Sequence, residues 1–346
     1  MSELSTVSPD SSLRGLVDRM RGGAPGGTPG LLLLLVVLVI AFSVAIPGFA
    51  SLGTLRSFMF QLPLLGLLSL AMVVPLITGG LNLAIIATTN QAALLMVFVM
   101  RTLAPTGAAP GTMAMAILVA IVAGLALCLV IGAVTGALIA YTGVHPILVT
   151  LGTKSLIDGV SIYLTRGEAL SGIPTTYAAV GNTSIFGVPL AFLVLAAAGV
   201  LLGLVLRRTP FGIACSMIGS NIEAARYSSI DTKRVLVGVY TLSSGLCFVA
   251  ALVSLALFNS ASADYAQSYL LVTILAAVLG GIDPFGGFGT VSGLMLALAV
   301  LQVISSGFNQ FGFSPYLTAA IWGLVLIAVM AVQTIRPYLR MPRRRG

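Results

Sequence analysis

The sequence predicts an all-α protein: a polytopic bundle of about ten transmembrane helices, some interrupted, with a short helix in one cytoplasmic loop. Three observations carry this. Of 346 residues, 58% are hydrophobic and only 8% are charged, where a soluble domain carries roughly 25% charged residues. A chain this apolar lacks the polar surface to face water, so lipid is its solvent. Its apolar residues fall in runs near the ~20 residues that cross a ~30 Å hydrocarbon core at 1.5 Å per residue. Its basic residues flank those runs, as they do in cytoplasmic loops.

In chain order, residues 1–29 read as a flexible cytoplasmic tail and Leu31–Ile46 as a retained anchor, since many spans follow it. Candidate spans cover 30–48, 58–78, 82–101, 112–141, 146–165, 186–206, 235–257, 268–282, 290–307 and 315–335. Residues 336–346 form a basic tail, and 30–335 one transmembrane bundle. An even span number puts both termini on one side. It also puts the polar loop 207–235 there, so that Arg14, Arg19, Arg21, Arg207, Arg208, Arg226, Lys233, Arg234, Arg336, Arg340 and Arg343–Arg345 all lie in the cytoplasm. Arg56, Arg101 and Arg166 then lie outside, and Lys154 within a span. The net charge of +8 is therefore topological and does not mark a nucleic-acid face.

The fourth run exceeds a straight crossing, so it tilts or protrudes. Gly132 and Gly136 within it, and Gly199 and Gly203 in the sixth, have the spacing that lets helix backbones approach. Three segments break the helical pattern: 77–83 (ITGGLNL), 144–152 (VHPILVTLG) and 279–291 (LGGIDPFGGFGTV). They are ordinary loops or breaks beside a transport pathway. Lys154 and Asp158 lie four apart on one helix face and can pair, either near a water-filled end or along a pathway.

Enzyme chemistry finds no footing. Gly152-Thr153-Lys154-Ser155 ends like a phosphate cradle but lacks its first glycine, and His145 is the only histidine. Cys128, Cys215 and Cys247 are odd in number and have no metal-ligand spacing, so they read as buried fillers. No cofactor or metal is expected. Polar side chains within spans (Gln61, Asn82, Thr88, Thr89, Asn90, Gln91, Gln302, Asn309) either face a pathway or bond helix to helix. For the pathway the candidates are Asn82, Thr88, Asn90, Gln91, Gln302 and Asn309.

The loop 207–235 is either a solvated connector or the seat of a short amphipathic helix, with Asn221 to cap it and Glu223 in its first turn. Ile218, Ala225 and Ile230 can share one flank. This segment resembles the cytoplasmic coupling loop of permease subunits from ribose-type ATP-binding-cassette importers, whose pattern is close to IGxNxxAARxSGI. Gly219, Asn221, Ala224, Ala225, Arg226, Ser228 and Ile230 match, while Ser229 stands where that family has glycine. Thr150-Leu151-Gly152, Leu279-Gly280-Gly281, Phe285-Gly286-Gly287, Gly289-Thr290 and Ser314-Pro315-Tyr316 extend the likeness over about residues 55–335. One stretch departs: the family's TGGIDLSVG is TGGLNLAII here, with Asn82 for Asp and Ala84 for Ser.

The resemblance implies a bacterial inner-membrane permease, both termini cytoplasmic, that imports a monosaccharide or related polyol. It implies three partners: a separate ATPase docked on Gly219, Asn221, Glu223, Ala224, Ala225, Arg226, Ser228 and Ile230, a periplasmic binding protein, and a second permease subunit. An ion-coupled secondary sugar carrier is the alternative.

Overall fold

The computed structural model describes residues 28–105, 108–314, 316–318, 320–325 and 327. The expected tails, 1–29 but for its last two residues and 336–346, lie outside them. The long helices are α1 (Thr28–Ala45), α2 (Leu52–Ile77), α3 (Ile85–Leu103), α4 (Pro110–Thr142) and α5 (Pro146–Thr165). The short strand β1 (Leu170–Ser171), helix α6 (Thr175–Asn182) and the paired strands β2 (Ser184–Ile185) and β3 (Val188–Pro189) lead into α7 (Leu190–Arg208). Then come α8 (Pro210–Ser220), α9 (Ile222–Tyr227), α10 (Thr232–Phe258), β4 (Ser260–Ala261), α11 (Tyr269–Leu279) and α12 (Val291–Gln310). A last apolar helical stretch runs over Tyr316–Val325.

Among the described residues, seven helices (α2, α3, α4, α5, α7, α10 and α12) are long and apolar enough to cross a membrane. They coincide with seven of the ten candidate spans. The first candidate becomes the shorter α1, and the last lies partly outside the described residues. The eighth, 268–282, becomes α11 with only 11 residues, about 16 Å at 1.5 Å per residue and so half a crossing.

Helix α2 is apolar on all sides, and that dictates its place. Every residue from Leu62 to Ile77 is buried, as expected of a helix with no polar face. Helices α10, α7, α12 and α11 surround it. The most extensive helix packing in the bundle is between α4 and α10, and two glycines bring their backbones close. A Cβ on Gly132 would lie 2.7 Å from the Tyr240 carbonyl, and one on Gly136 2.8 Å from Val237 Cα. This first small-residue pair thus does what its spacing predicts. The second does not: Gly199 and Gly203 meet only Met295 and Val291 side chains, at 3.5 and 3.8 Å.

The breaks are sharper than expected. Between α2 and α3 the chain unwinds over 78–84, with Gly79 at φ +77°. Between α11 and α12 it unwinds over 280–290, where Gly281, Gly286 and Gly287 have positive φ. The middle break is only residues 143–145. Pro146 occupies the first turn of α5, where its missing N–H costs nothing, and His145 Nδ1 accepts from the Ile147 amide. Thr150, Leu151 and Gly152 are therefore helical.

The non-helical stretch 259–268 falls between the seventh and eighth candidate spans, and its packing into the bundle was not foreseen. Its Ser260–Ala261 pairs with Leu170–Ser171, and Ala261 and Ala263 are buried.

Candidate coupling site and polar interior

Two of the breaks and the end of α8 meet at one end of the bundle. The Gly287 amide donates to the Ile77 carbonyl at 2.8 Å. A Cβ built on Gly286 would lie 2.6 Å from the Gly79 nitrogen and 3.0 Å from Gly219 Cα, and one on Gly79 would lie 3.0 Å from the Phe285 carbonyl. A Cβ on Gly219 would collide with the Ile77 carbonyl and the Gly287 nitrogen. Three backbones are thus in contact with no side chain between them, an approach that only glycine permits.

Helix α9 projects directly from this junction. Six residues do not hold a helix by themselves, and here both ends are fixed. Asn221 at the N-cap accepts from the Ala224 amide at 3.0 Å through Oδ1. At the other end the Ile230 amide bonds the Ala225 carbonyl and the Ser229 amide the Arg226 carbonyl, a Schellman arrangement. That motif needs a left-handed residue at its centre. Ser229 supplies it, with φ +61°. The position where the resembled family carries glycine is thus the one where the backbone asks for it.

Glu223 and Arg226 pair at 2.7 Å on the exposed side, and Ser228 Oγ donates to the Ala224 carbonyl at 3.0 Å. Ala224 is exposed. Ala225 is buried, with Ile218, so it anchors the helix instead of presenting a docking surface. Ile230 is half-buried, which leaves the expected shared flank intact. Asp231 then caps α10 by accepting from the Arg234 amide, and Lys233 stands 5.0 Å above the Tyr141 ring. Cys215 on α8 is enclosed, and burial pushes its thiol up to about 12.

The candidate pathway residues do not form one cluster. Asn82 is buried in the first break. Its Nδ2 donates to Ser243 Oγ at 3.0 Å, its Oδ1 accepts from the Ala84 amide, and Ser243 in turn donates to the Ala71 carbonyl. Asparagine uses both ends of its amide here; a carboxylate would have nothing to donate. Asn90 Nδ2 donates to the Ala263 and Tyr265 carbonyls, at 2.8 and 2.9 Å, and so holds the 259–268 stretch within the bundle. Gln91 Oε1 accepts from Ser161 Oγ of α5. Gln302 donates to Gln61 and to Ser306. Thr88 is buried and its hydroxyl has no hydrogen bond, as is also true of Tyr240. Asn309 borders an open groove with Ser268, Tyr269, Ser305, Thr318 and Trp322, Gln302 lines a largely apolar one with Val39, Phe58 and Met59, and Asn90 lines a small pocket with Ser254 and Tyr265.

Lys154 and Asp158 form the expected ion pair, at 2.7 Å. The described residues contain no group of three or more His, Cys, Asp or Glu able to hold a metal.

With the geometry in place, comparison with known proteins adds the lineage. The chain is 27% identical over 308 residues to the autoinducer 2 import system permease protein LsrD of Salmonella typhi, covering 87% of this chain and 90% of that one. It is 29% identical over 327 residues to the protein of the same name from Photorhabdus temperata, covering 91% and 95%. The Yersinia pseudotuberculosis protein of that name is 28% identical over 308 residues. No solved structure matches. Residues 54–330 match the family model described as branched-chain amino acid transport system / permease component. The chain belongs to that family: it is a multi-pass inner-membrane permease subunit of an ATP-binding-cassette importer.

Proposed function

We propose that this permease admits a small, uncharged, polyhydroxylated solute of the monosaccharide or signalling-sugar class, and that α9 is the element through which a separate ATPase drives it. The observation that carries the second half is a six-residue helix capped at both ends and seated on a glycine-only backbone junction. A solvated connector needs neither cap. An element that transmits force needs both, because a strut that frays absorbs the motion it should pass on. The exposed Ala224, Glu223, Arg226 and Ser228, with Gly219 and Asn221 beneath them, form the contact surface and its mounting. Ala225 and Ile230 hold it from below.

The solute class rests on the names of the relatives, which are autoinducer 2 import permeases, and on the scarcity of uncompensated charge within the crossing helices, where Lys154 and Asp158 pair with each other. Neutral solutes with many hydroxyls need hydrogen-bond partners and no countercharge. Delivery falls to a periplasmic binding protein and the other half of the pathway to a second permease subunit. Both termini lie in the cytoplasm with α9, and the chain itself performs no chemistry.

The test is uptake by cells that carry the whole importer. A panel of pentoses, hexoses, polyols and autoinducer 2 competes against one labelled member, with and without a catalytically dead ATPase. ATP-dependent uptake of one or more panel members is expected. Uptake that persists with the dead ATPase and follows a proton or sodium gradient would favour the ion-coupled carrier.

A further inference from the structure

Of the two small-residue spacings in the chain, only one is spent on helix packing. Gly132 and Gly136 seat α4 against the α10 backbone. Gly199 and Gly203 of α7 face α12, yet a Cβ on either would meet nothing closer than the Met295 and Val291 side chains, at 3.5 and 3.8 Å. Helices α7 and α12 therefore do not close on each other, and an open groove of about 650 Å³ lies between them.

The lining of this groove is graded along its length. Ala196, Gly199, Val200 and Gly203 follow one face of α7 at helical spacing, with Met295 across from them. The mouth is different. There the same face ends in Arg207 and Arg208, both exposed in the last turn of α7, with Ser292 of α12 beside them. Along the helix axis Gly203 lies ~6 Å and Ala196 ~16 Å from Arg207. That apolar length matches one leaflet of a ~30 Å hydrocarbon core.

The charge at the mouth is unanswered. Among the described residues the ion pairs join Lys154 to Asp158, Glu223 to Arg226 and Asp231 to Arg234, and none includes Arg207 or Arg208. The chain beyond Ile327 holds five arginines and no acidic residue. Its own C-terminal segment would thus bring like charge to the mouth.

We propose that the groove between α7 and α12 binds an anionic phospholipid, its phosphate held by Arg207 and Arg208 with Ser292 donating to it, and one acyl chain laid along Gly203, Gly199 and Ala196. Planar guanidinium groups pair well with phosphate oxygens. A zwitterionic headgroup would add an ammonium that has no partner here, so the site selects net negative charge. The mouth also lies where α7 passes into α8 at Thr209 and where the 280–290 break enters α12. A lipid wedged there braces the two segments that carry Gly219 and Gly286 into the backbone junction. The proposal rests only on the placement of α7 and α12 in the membrane, independent of the solute and of the ATPase.

The test is lipid retention by the intact importer, stripped of lipid in mild detergent and titrated with phosphatidylglycerol or phosphatidylethanolamine. Native mass spectrometry counts the lipids bound, and thermal unfolding is followed in parallel. The parent should bind its first phosphatidylglycerol about tenfold more tightly than phosphatidylethanolamine, two arginines each adding attraction to an anionic headgroup. Joint Arg207→Gln and Arg208→Gln should abolish that preference. Gly203→Leu keeps both charges but fills the groove, and it too should lose the tight lipid; Val200→Trp takes its place if that variant does not accumulate. Arg101→Gln, an exposed arginine in the last turn of α3, should behave like the parent. Phosphatidylglycerol should raise the unfolding temperature of the parent and of Arg101→Gln only, and soluble glycerol phosphate should not displace it.

Unchanged preference in the double arginine variant would overturn the proposal. So would loss of binding in that variant with full binding in Gly203→Leu, which would mean surface charge alone, or a groove filled by protein. Displacement by glycerol phosphate would assign the arginines to a free phosphate and overturn it as well.

Discussion

Replacing Gly219 by alanine puts the backbone junction to its sharpest test. The added methyl would overlap the Ile77 carbonyl and the Gly287 nitrogen and stand 3.1 Å from the Gly286 carbonyl carbon. All three are backbone atoms, so no rotamer relieves the clash. Overpacking that forces backbone to shift costs typically 1–3 kcal/mol. The Ile77 carbonyl also accepts the Gly287 amide. Prising the two apart gives up a further ~1 kcal/mol. The expected loss is about 2–4 kcal/mol, concentrated where α9 meets the bundle.

If only about 1.4 kcal/mol of that falls on the coupled step, uptake drops about tenfold. The assay is paired: thermal unfolding of the detergent-purified importer, and uptake normalised to ATP hydrolysis. Gly245→Ala is the control, because nothing lies within 4 Å of its Cβ and alanine favours a helix. Gly219→Ala should lower both the unfolding temperature and the uptake per ATP, while Gly245→Ala matches the parent. A Gly219→Ala importer that unfolds and transports like the parent would refute the claim that three backbones touch there.

Three other perturbations follow from the same geometry. Ser229→Gly should stabilise the importer by roughly 0.5–1 kcal/mol, since it removes the cost of a side chain at φ +61°; Ser229→Val should destabilise it, and comparative unfolding reads both. The Glu223–Arg226 pair is exposed and contributes at most about 0.5 kcal/mol to stability. Arg226→Glu should therefore leave unfolding unchanged while weakening ATPase retention on a size-exclusion column. Asn82→Leu strips Ser243 and the Ala84 amide of their partner. It should cost about 1–3 kcal/mol and lower the amount of folded importer without changing the apparent KM for the solute, as expected of an amide that holds helices together.

The long helices were legible because a membrane enforces one rule throughout: about 20 apolar residues with every backbone group satisfied inside the segment. The N-cap of α9 was equally legible, since Asn221 and Glu223 are local signals, whereas the left-handed C-cap at Ser229 emerged only from the backbone. The Lys154–Asp158 pair was legible too, fixed by helical spacing alone. The break at 144–152 was overestimated, since Pro146 starts a helix and only residues 143–145 are unwound.

What stayed hidden is non-local. Composition says nothing about Gly79, Gly219 and Gly286 converging from positions far apart in the chain. Nor does it reveal that Asn90 reaches Ala263 and Tyr265 and holds a non-helical stretch within the bundle. The apolar residues at 268–282 predicted a full span, but the helix stops at Leu279, where Gly280 and Gly281 open the break before α12. Polar residues in spans pointed to a pathway and to helix bonding alike, and only their partners separate the two uses.

The central claim, that this chain is moved by an ATPase held at α9, is tested most directly by purifying the intact chain from its native membrane in mild detergent and measuring what co-elutes. The account predicts a stoichiometric ATPase that is retained by the parent and lost with Arg226→Glu, although both chains are equally folded. A chain that elutes without any ATPase, and whose vesicles still take up solute in the absence of ATP, would contradict it.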